Sequence, residues 1–200
     1  MKKIEINING AIGKENNTFE NVKKTLDQFD LSNAKIVVNI DSLGGFVDDA
    51  FGIYEYLNHL KNEYGVIVET LCNGDYVASS ATIIAQAASP NMRGISKKTS
   101  YLIHCCTRDG ENSFNNKSHR DNLIRHDKRI AEVYSDNSNG ILNEKRALKI
   151  MRENKGDGEW QKPREVIENG LADFIIEDDF IIEKRQSFIL RIFNKLKNIF

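Results

Sequence analysis

Two adjacent serines, Ser79 and Ser80, sit in the stretch N-G-D-Y-V-A-S-S-A-T-I-I-A-Q-A-A, residues 73–88. A strand-like run, G-V-I-V-E-T-L, precedes it and small apolar residues follow. The pattern predicts a strand, a tight turn and a buried helix that begins at the serines. A serine there is placed for nucleophilic acyl transfer. Free N–H groups at a helix start favour the negative charge that develops on a tetrahedral intermediate. The same position also suits a simple helix cap. A serine hydroxyl needs a base, and His104, at the end of S-Y-L-I-H, stands 104 − 79 = 25 residues further on. Histidine titrates near neutral pH, so it can accept and return a proton. His59 falls on a helix face, and His119 and His126 in a charged helical stretch, where solvated roles fit better. Cys105 adjoins His104, but neighbours on a strand point to opposite faces. That argues for structural thiols rather than a Cys–His nucleophile.

A glycine pair, Gly44–Gly45, follows the β-branched run K-I-V-V-N-I and precedes a helical stretch from about residue 47 to 60. Such a pair lets the backbone turn sharply and approach a ligand, and it also makes ordinary turns. These groups need a scaffold that gathers several strand ends. Residues 3–9 alternate apolar and polar, as a half-buried strand does. Residues 18–29 have helical spacing with Thr18 as a cap, and 35–40, 66–71 and 94–103 read as strands. The β-α-β alternation predicts an α/β domain on a largely parallel sheet. Ligands bind beyond the carboxyl ends of such strands, where residues 41–45, 74–80 and 104–105 would meet.

After residue 107 the character changes. Residues 108–116 read as a polar loop, 117–134 as a charged helix and 143–154 as a second helix capped by Asn143. Few apolar positions for that length predict a hairpin that projects and meets a partner. A short helix over 162–169, stopped by Gly170, and a final strand complete the domain. Residues 179–200 form an amphipathic basic tail. It fits a membrane surface or another subunit, and its few basic residues favour the subunit.

The chain has 200 residues and a formal net charge of −1, which suits one soluble domain and gives no global signal for nucleic acid. Cys72, Cys105 and Cys106 are an odd number with no zinc-ligand spacing. No metal or cofactor is expected, and a reducing, cytoplasmic compartment is. The opening M-K-K-I-E-I-N-I-N-G lacks the apolar core of a secretion signal, and no phosphate-binding P-loop occurs.

Taken in order, these segments resemble the ClpP-like serine peptidases, including phage and prophage forms, from about residue 4 to 178. D-S-L-G-G-F-V is similar to the family's N-S-P-G-G-x-V. G-D-Y-V-A-S-S matches its G-x-A-A-S nucleophile segment and S-Y-L-I-H its histidine strand. The helical pair resembles the family's handle, and E-W-Q-K-P-R-E-V-I-E-N-G-L-A-D its acidic segment. The resemblance implies a ClpP/crotonase-like fold of stacked β-α-β units, with residues 1–178 as the peptidase domain and a handle at about 112–155. It implies a serine endopeptidase with Ser79 as nucleophile and His104 as base. Gly44, Gly45 and Ser80 would bind the oxyanion and substrate. It further implies a ring homo-oligomer, two rings stacked through the handle, and protein substrates supplied by an ATP-dependent unfoldase or drawn from phage capsid proteins. A catalytically impaired scaffold, or a crotonase-type acyl-CoA enzyme, are the competing readings.

The triad acid is where the match departs. Aligning on Trp160 and Gly170 puts Gly158 at the acidic position, with Asp157 and Glu159 on either side. Asp157 is the preferred acid and Glu159 the alternative, each by a one-residue slip in the turn. Leu43 stands for the usual proline, and Asp75, Tyr76 and Val77 for small residues, so Tyr76 is expected to narrow the substrate groove.

Overall fold

The computed structural model describes residues 1–107 and 117–177. Its strands are β1 (Lys2–Asn9), β2 (Ala34–Ser42), β3 (Ile67–Ala78), β4 (Arg93–Ser96), β5 (Ser100–Leu102) and β6 (Phe174–Ile176). They form a 6-stranded sheet in the order β1-β2-β3-β4-β6, with β5 paired to the far end of β3, and every pairing is parallel. β1 buries Ile4, Ile6 and Ile8 in alternation, as its pattern predicts. β2 buries Ile36, Val37 and Val38 consecutively, as a parallel strand covered on both faces must.

The helices are α1 (Phe19–Leu26), α2 (Val47–Tyr64), α3 (Ser80–Ala85), α4 (Lys117–Asn137), α5 (Glu144–Met151) and α6 (Pro163–Glu168). The expected caps are present: Thr18 accepts from the Asn21 amide and Asn143 from the Arg146 amide. Gly65 ends α2 in the left-handed conformation.

Two stretches differ from the sequence reading. β3 continues through Asn73–Gly74–Asp75, a run with turn chemistry. The register shifts between Ile40 and Ser42, β2 meets β3 again at Ser42–Val77, and β5 pairs with Tyr76–Ala78 on the other side. Asn73, Gly74 and Asp75 have no register partner on either neighbouring strand, so the turn chemistry shows as a bulge inside a strand that is paired before and after it. Gly74 serves a packing role instead, since the Asp41 side chain fills the space a Cβ would take. The single strand expected over 94–103 is split into β4 and β5. Between them, Thr99 Oγ1 donates to the carbonyls of Cys72 at 2.9 Å and Gly74 at 2.6 Å, tying the turn to β3.

The helical pair is rooted as well as projecting. The second half of α4 buries Ile130, Ala131, Val133 and Tyr134, and α5 buries Ala147 and Met151. The Tyr134 hydroxyl lies 2.6 Å from Thr82 Oγ1 on α3, so α4 packs directly behind the serine segment. The first half of α4 is open, with Ile124 60% exposed. The end of the domain is pinned by a buried ion pair, Arg93–Asp173, with Gln86 Oε1 also accepting from Arg93. Residues 108–116 and the tail from 178 lie outside the described residues, so the expected loop and basic helix are not part of this description.

Candidate active site

β3 ends at Ala78 and α3 begins at Ser80, and the change of direction is made by one residue, Ser79. Its φ of 56° and ψ of −133° are sparsely populated for a residue with a side chain. The conformation is held from both sides. The Ser79 amide donates to Leu102 O at 2.9 Å, while its carbonyl accepts from the Thr82 amide and hydroxyl. The Ser79 side chain makes no capping hydrogen bond to α3, so the hydroxyl is left for other work. α3 has only six residues, so its individual amides matter more here than a helix dipole.

The glycine turn lies against this serine. A Cβ added to Gly44, whose φ is 101°, would sit 2.5 Å from Ser79 Cβ and 3.0 Å from Ser79 Oγ. Glycine at 44 is what permits that approach. Two bonds to Ile12 clamp the turn: its amide donates to Gly44 O at 3.0 Å, and its carbonyl accepts from the Phe46 amide at 3.1 Å. Ser42 Oγ accepts from the Gly44 amide at 3.0 Å. Among the described residues neither the Gly45 amide nor the Ser80 amide has an acceptor. Leu43 and Phe46, 63% and 60% exposed, stand as apolar walls on the open side.

β5 pairs Leu102 with Ala78, and this register places His104 two residues beyond the carbonyl that holds Ser79. His104 is half-buried, and its Nδ1 lies 2.6 Å from the Cys105 carbonyl oxygen. A carbonyl only accepts, so Nδ1 carries the proton and Nε2 of the neutral ring keeps its lone pair. That is the tautomer a general base needs.

The candidate acids do not reach it in this arrangement. Asp157 is exposed and closes a short 3-10 turn over Glu153–Gly156. Glu159 is exposed and lines a groove with Arg146 and Trp160. Gly158 is buried in the left-handed conformation, at φ 69°. A Cβ there would collide with Ile103 O and lie 3.1 Å from His104 Cβ. Among the described residues no carboxylate lies within ion-pair distance of His104. Tyr76 packs edge-on against Trp160, with ring centroids 5.7 Å apart, so the two aromatics brace each other beside β5.

A residue the sequence reading passed over lies behind the histidine. Asp127 of α4 accepts from the Cys106 amide at 2.7 Å. It was one charge among many on a charged helix, and its partner is a backbone N–H, which leaves no mark in sequence. Burial pushes the Cys105 thiol up to about 11 and the Cys106 thiol to about 12, and the Asp127 carboxylate adds to both. Thiols held protonated at neutral pH are poor nucleophiles, in keeping with a structural role.

The profile of the Clp protease family matches residues 2–179. Among curated proteins no relative matches. Among solved structures, ClpP1 from Listeria monocytogenes is similar at 23% identity, with a TM-score of 0.67, covering 87% of this chain and 91% of that one. A point mutant of the same ClpP1 gives a TM-score of 0.71 at the same identity and coverage. The fold is the ClpP/crotonase-like fold expected from the sequence.

Proposed function

Because the chain belongs to the Clp protease family, we propose that it is a serine endopeptidase that works by acyl-enzyme chemistry inside a ring-shaped homo-oligomer. The observation that carries this reading is the close approach of Gly44 to a strained Ser79, beside the Gly45 and Ser80 amides, which have no acceptor among the described residues. Ser79 Oγ bonds to the carbon of the scissile amide as its proton passes to His104 Nε2. The carbonyl π pair moves onto oxygen, where the Gly45 and Ser80 amides stabilise it. Collapse breaks the C–N bond, and the amine leaves with the proton from His104. Water then attacks the Ser79 ester, giving its proton to His104, and Ser79 departs with that proton. An extended peptide laid along residues 43–46 would pair its backbone with the strand edge.

Rings stacking through the α4–α5 pair and enclosing these sites agree with the open first half of α4. Substrate proteins delivered by a separate ATP-dependent unfoldase, or phage capsid proteins, fit a chain with no nucleotide motif of its own, and three free thiols fit the cytoplasm. Assembled protein treated with a fluorophosphonate probe should label on Ser79, and Ser79→Ala should lower the labelling rate by at least about 10⁴-fold. No labelling of the assembled protein, or labelling that survives Ser79→Ala, overturns the reading. Gly158 at the acidic position favours one rival, an impaired scaffold. Its mark would be peptide cleavage at background level that His104→Ala leaves unchanged.

A further inference from the structure

We propose that Asp127 acts in place of a triad carboxylate, reaching His104 through the peptide group that joins Cys105 to Cys106. The inference rests on the peptidase reading of Ser79 and His104. One peptide unit makes both bonds: its oxygen is 2.6 Å from His104 Nδ1, and its N–H donates to Asp127 Oδ1 at 2.7 Å. The peptide is trans, so its C=O and N–H point opposite ways, with the imidazole on one side and the carboxylate on the other. Amide resonance couples the two ends. An anion at the N–H draws that proton and shifts electron density onto the carbonyl oxygen, and hydrogen bonds in a chain strengthen one another. The oxygen then holds the Nδ1 proton more firmly and stabilises the imidazolium formed when His104 takes the Ser79 proton.

Among the described residues no carboxylate takes the direct route to His104. At position 158 a side chain has no room, since its Cβ would meet Ile103 O at 2.2 Å. The Cys105 amide donates to Gly156 O at 3.0 Å, which fixes the start of the same segment. Among the described residues the charged and titratable groups facing this segment are few. From α5's end Arg152 lies against the Cys105 thiol, and from α2 Asp48 acts on Cys106 at longer range. The thiols of Cys105 and Cys106 and the Tyr134 phenol are kept neutral by burial, and Asp157 and Glu159 flank Gly158 at the surface. Asp127 is the carboxylate hydrogen-bonded to the peptide.

Two measurements on the assembled full-length chain test this. The first is the rate of fluorophosphonate labelling against pH for the wild type, Asp127→Asn, Asp127→Glu and Asp157→Asn, with melting curves to check folding. Asp127→Asn keeps an oxygen for the Cys106 amide and loses the charge. It should slow labelling by about 10- to 100-fold, the size of one charged hydrogen bond. It should also move the midpoint of the pH–rate curve to lower pH, because removing a negative charge destabilises the imidazolium. Asp127→Glu should recover part of the rate. A slower rate with an unmoved midpoint means packing alone, and a larger loss in Asp157→Asn than in Asp127→Asn gives the role to Asp157. Either result overturns the proposal. The second measurement is the His104 ring titration by NMR on histidine-labelled protein in the Ser79→Ala background, assigned with His104→Gln. Asp127→Asn should lower its midpoint, and no change overturns the proposal whatever labelling does. A lowered midpoint in a protein whose wild type never labels sinks the peptidase reading and leaves the peptide relay standing.

Discussion

The nucleophile side and the base side of the site are built by different means. On the nucleophile side the parts are backbone: a left-handed glycine against a strained serine, two bonds to Ile12, and two amides without acceptors among the described residues. Nothing there depends on a side chain finding a charged partner. On the base side the geometry depends on a chain of hydrogen bonds from His104 through a peptide to α4. Backbone packing tolerates little change and fails abruptly. A hydrogen-bonded relay can be weakened by degrees, which makes the base side the place where rate can be tuned.

The largest effect that separates the two sides is expected from Gly44→Ala. The new methyl would sit 2.5 Å from Ser79 Cβ at a φ of 101°, so either the serine or the oxyanion turn must move. Loss of one oriented donor costs about 100- to 1,000-fold in rate, so labelling of Gly44→Ala should fall by that much. Labelling within about tenfold of wild type would mean the turn is softer than its packing implies. Gly158→Ala probes the base side in the same way. Its methyl would press on Ile103 O and His104 Cβ in a left-handed conformation, costing about 1–3 kcal/mol of stability. Labelling should fall by only about tenfold, since His104 can recover its bond to the Cys105 carbonyl after a small shift. A loss as large as that of Gly44→Ala would erase the contrast between the two sides.

The same contrast explains what could be seen in the sequence. Gly44, Gly45, Ser79 and Ser80 announce themselves because the backbone conformations they adopt restrict residue type locally. The caps Thr18 and Asn143 and the stop at Gly170 are legible for the same reason. The run through Asn73–Asp75 has local turn chemistry, and it is a bulge within β3 because β2 and β5, distant in sequence, pair the strand again beyond it. Asp127 was invisible because its partner is an amide every residue possesses. Gly158 was noticed as a departure, yet its meaning needed the structure: a Cβ there has no room beside His104.

The smallest expected effect is also the one that best distinguishes a relay from a local collapse. Below pH about 9 the folded and unfolded thiols are alike, both protonated. Above it the unfolded chain releases protons that burial keeps on Cys105 to about 11 and on Cys106 to about 12, so these thiols weaken folding as pH rises through that window. At pH 8 alkylation by iodoacetamide should therefore run about 100-fold slower at Cys105 and about 1,000-fold slower at Cys106 than at a free thiol. Asp127 raises both thiols, so Asp127→Asn should speed their alkylation while it slows labelling of Ser79. Unfolding that reaches the sheet would also speed the cysteines, but it would expose Cys72, which is buried in β3 and raised to about 12. Faster reaction at Cys105 and Cys106 with Cys72 still protected, read by mass spectrometry of the digested protein, is the signature of a removed charge. Equal gains at all three would show that unfolding had spread to β3.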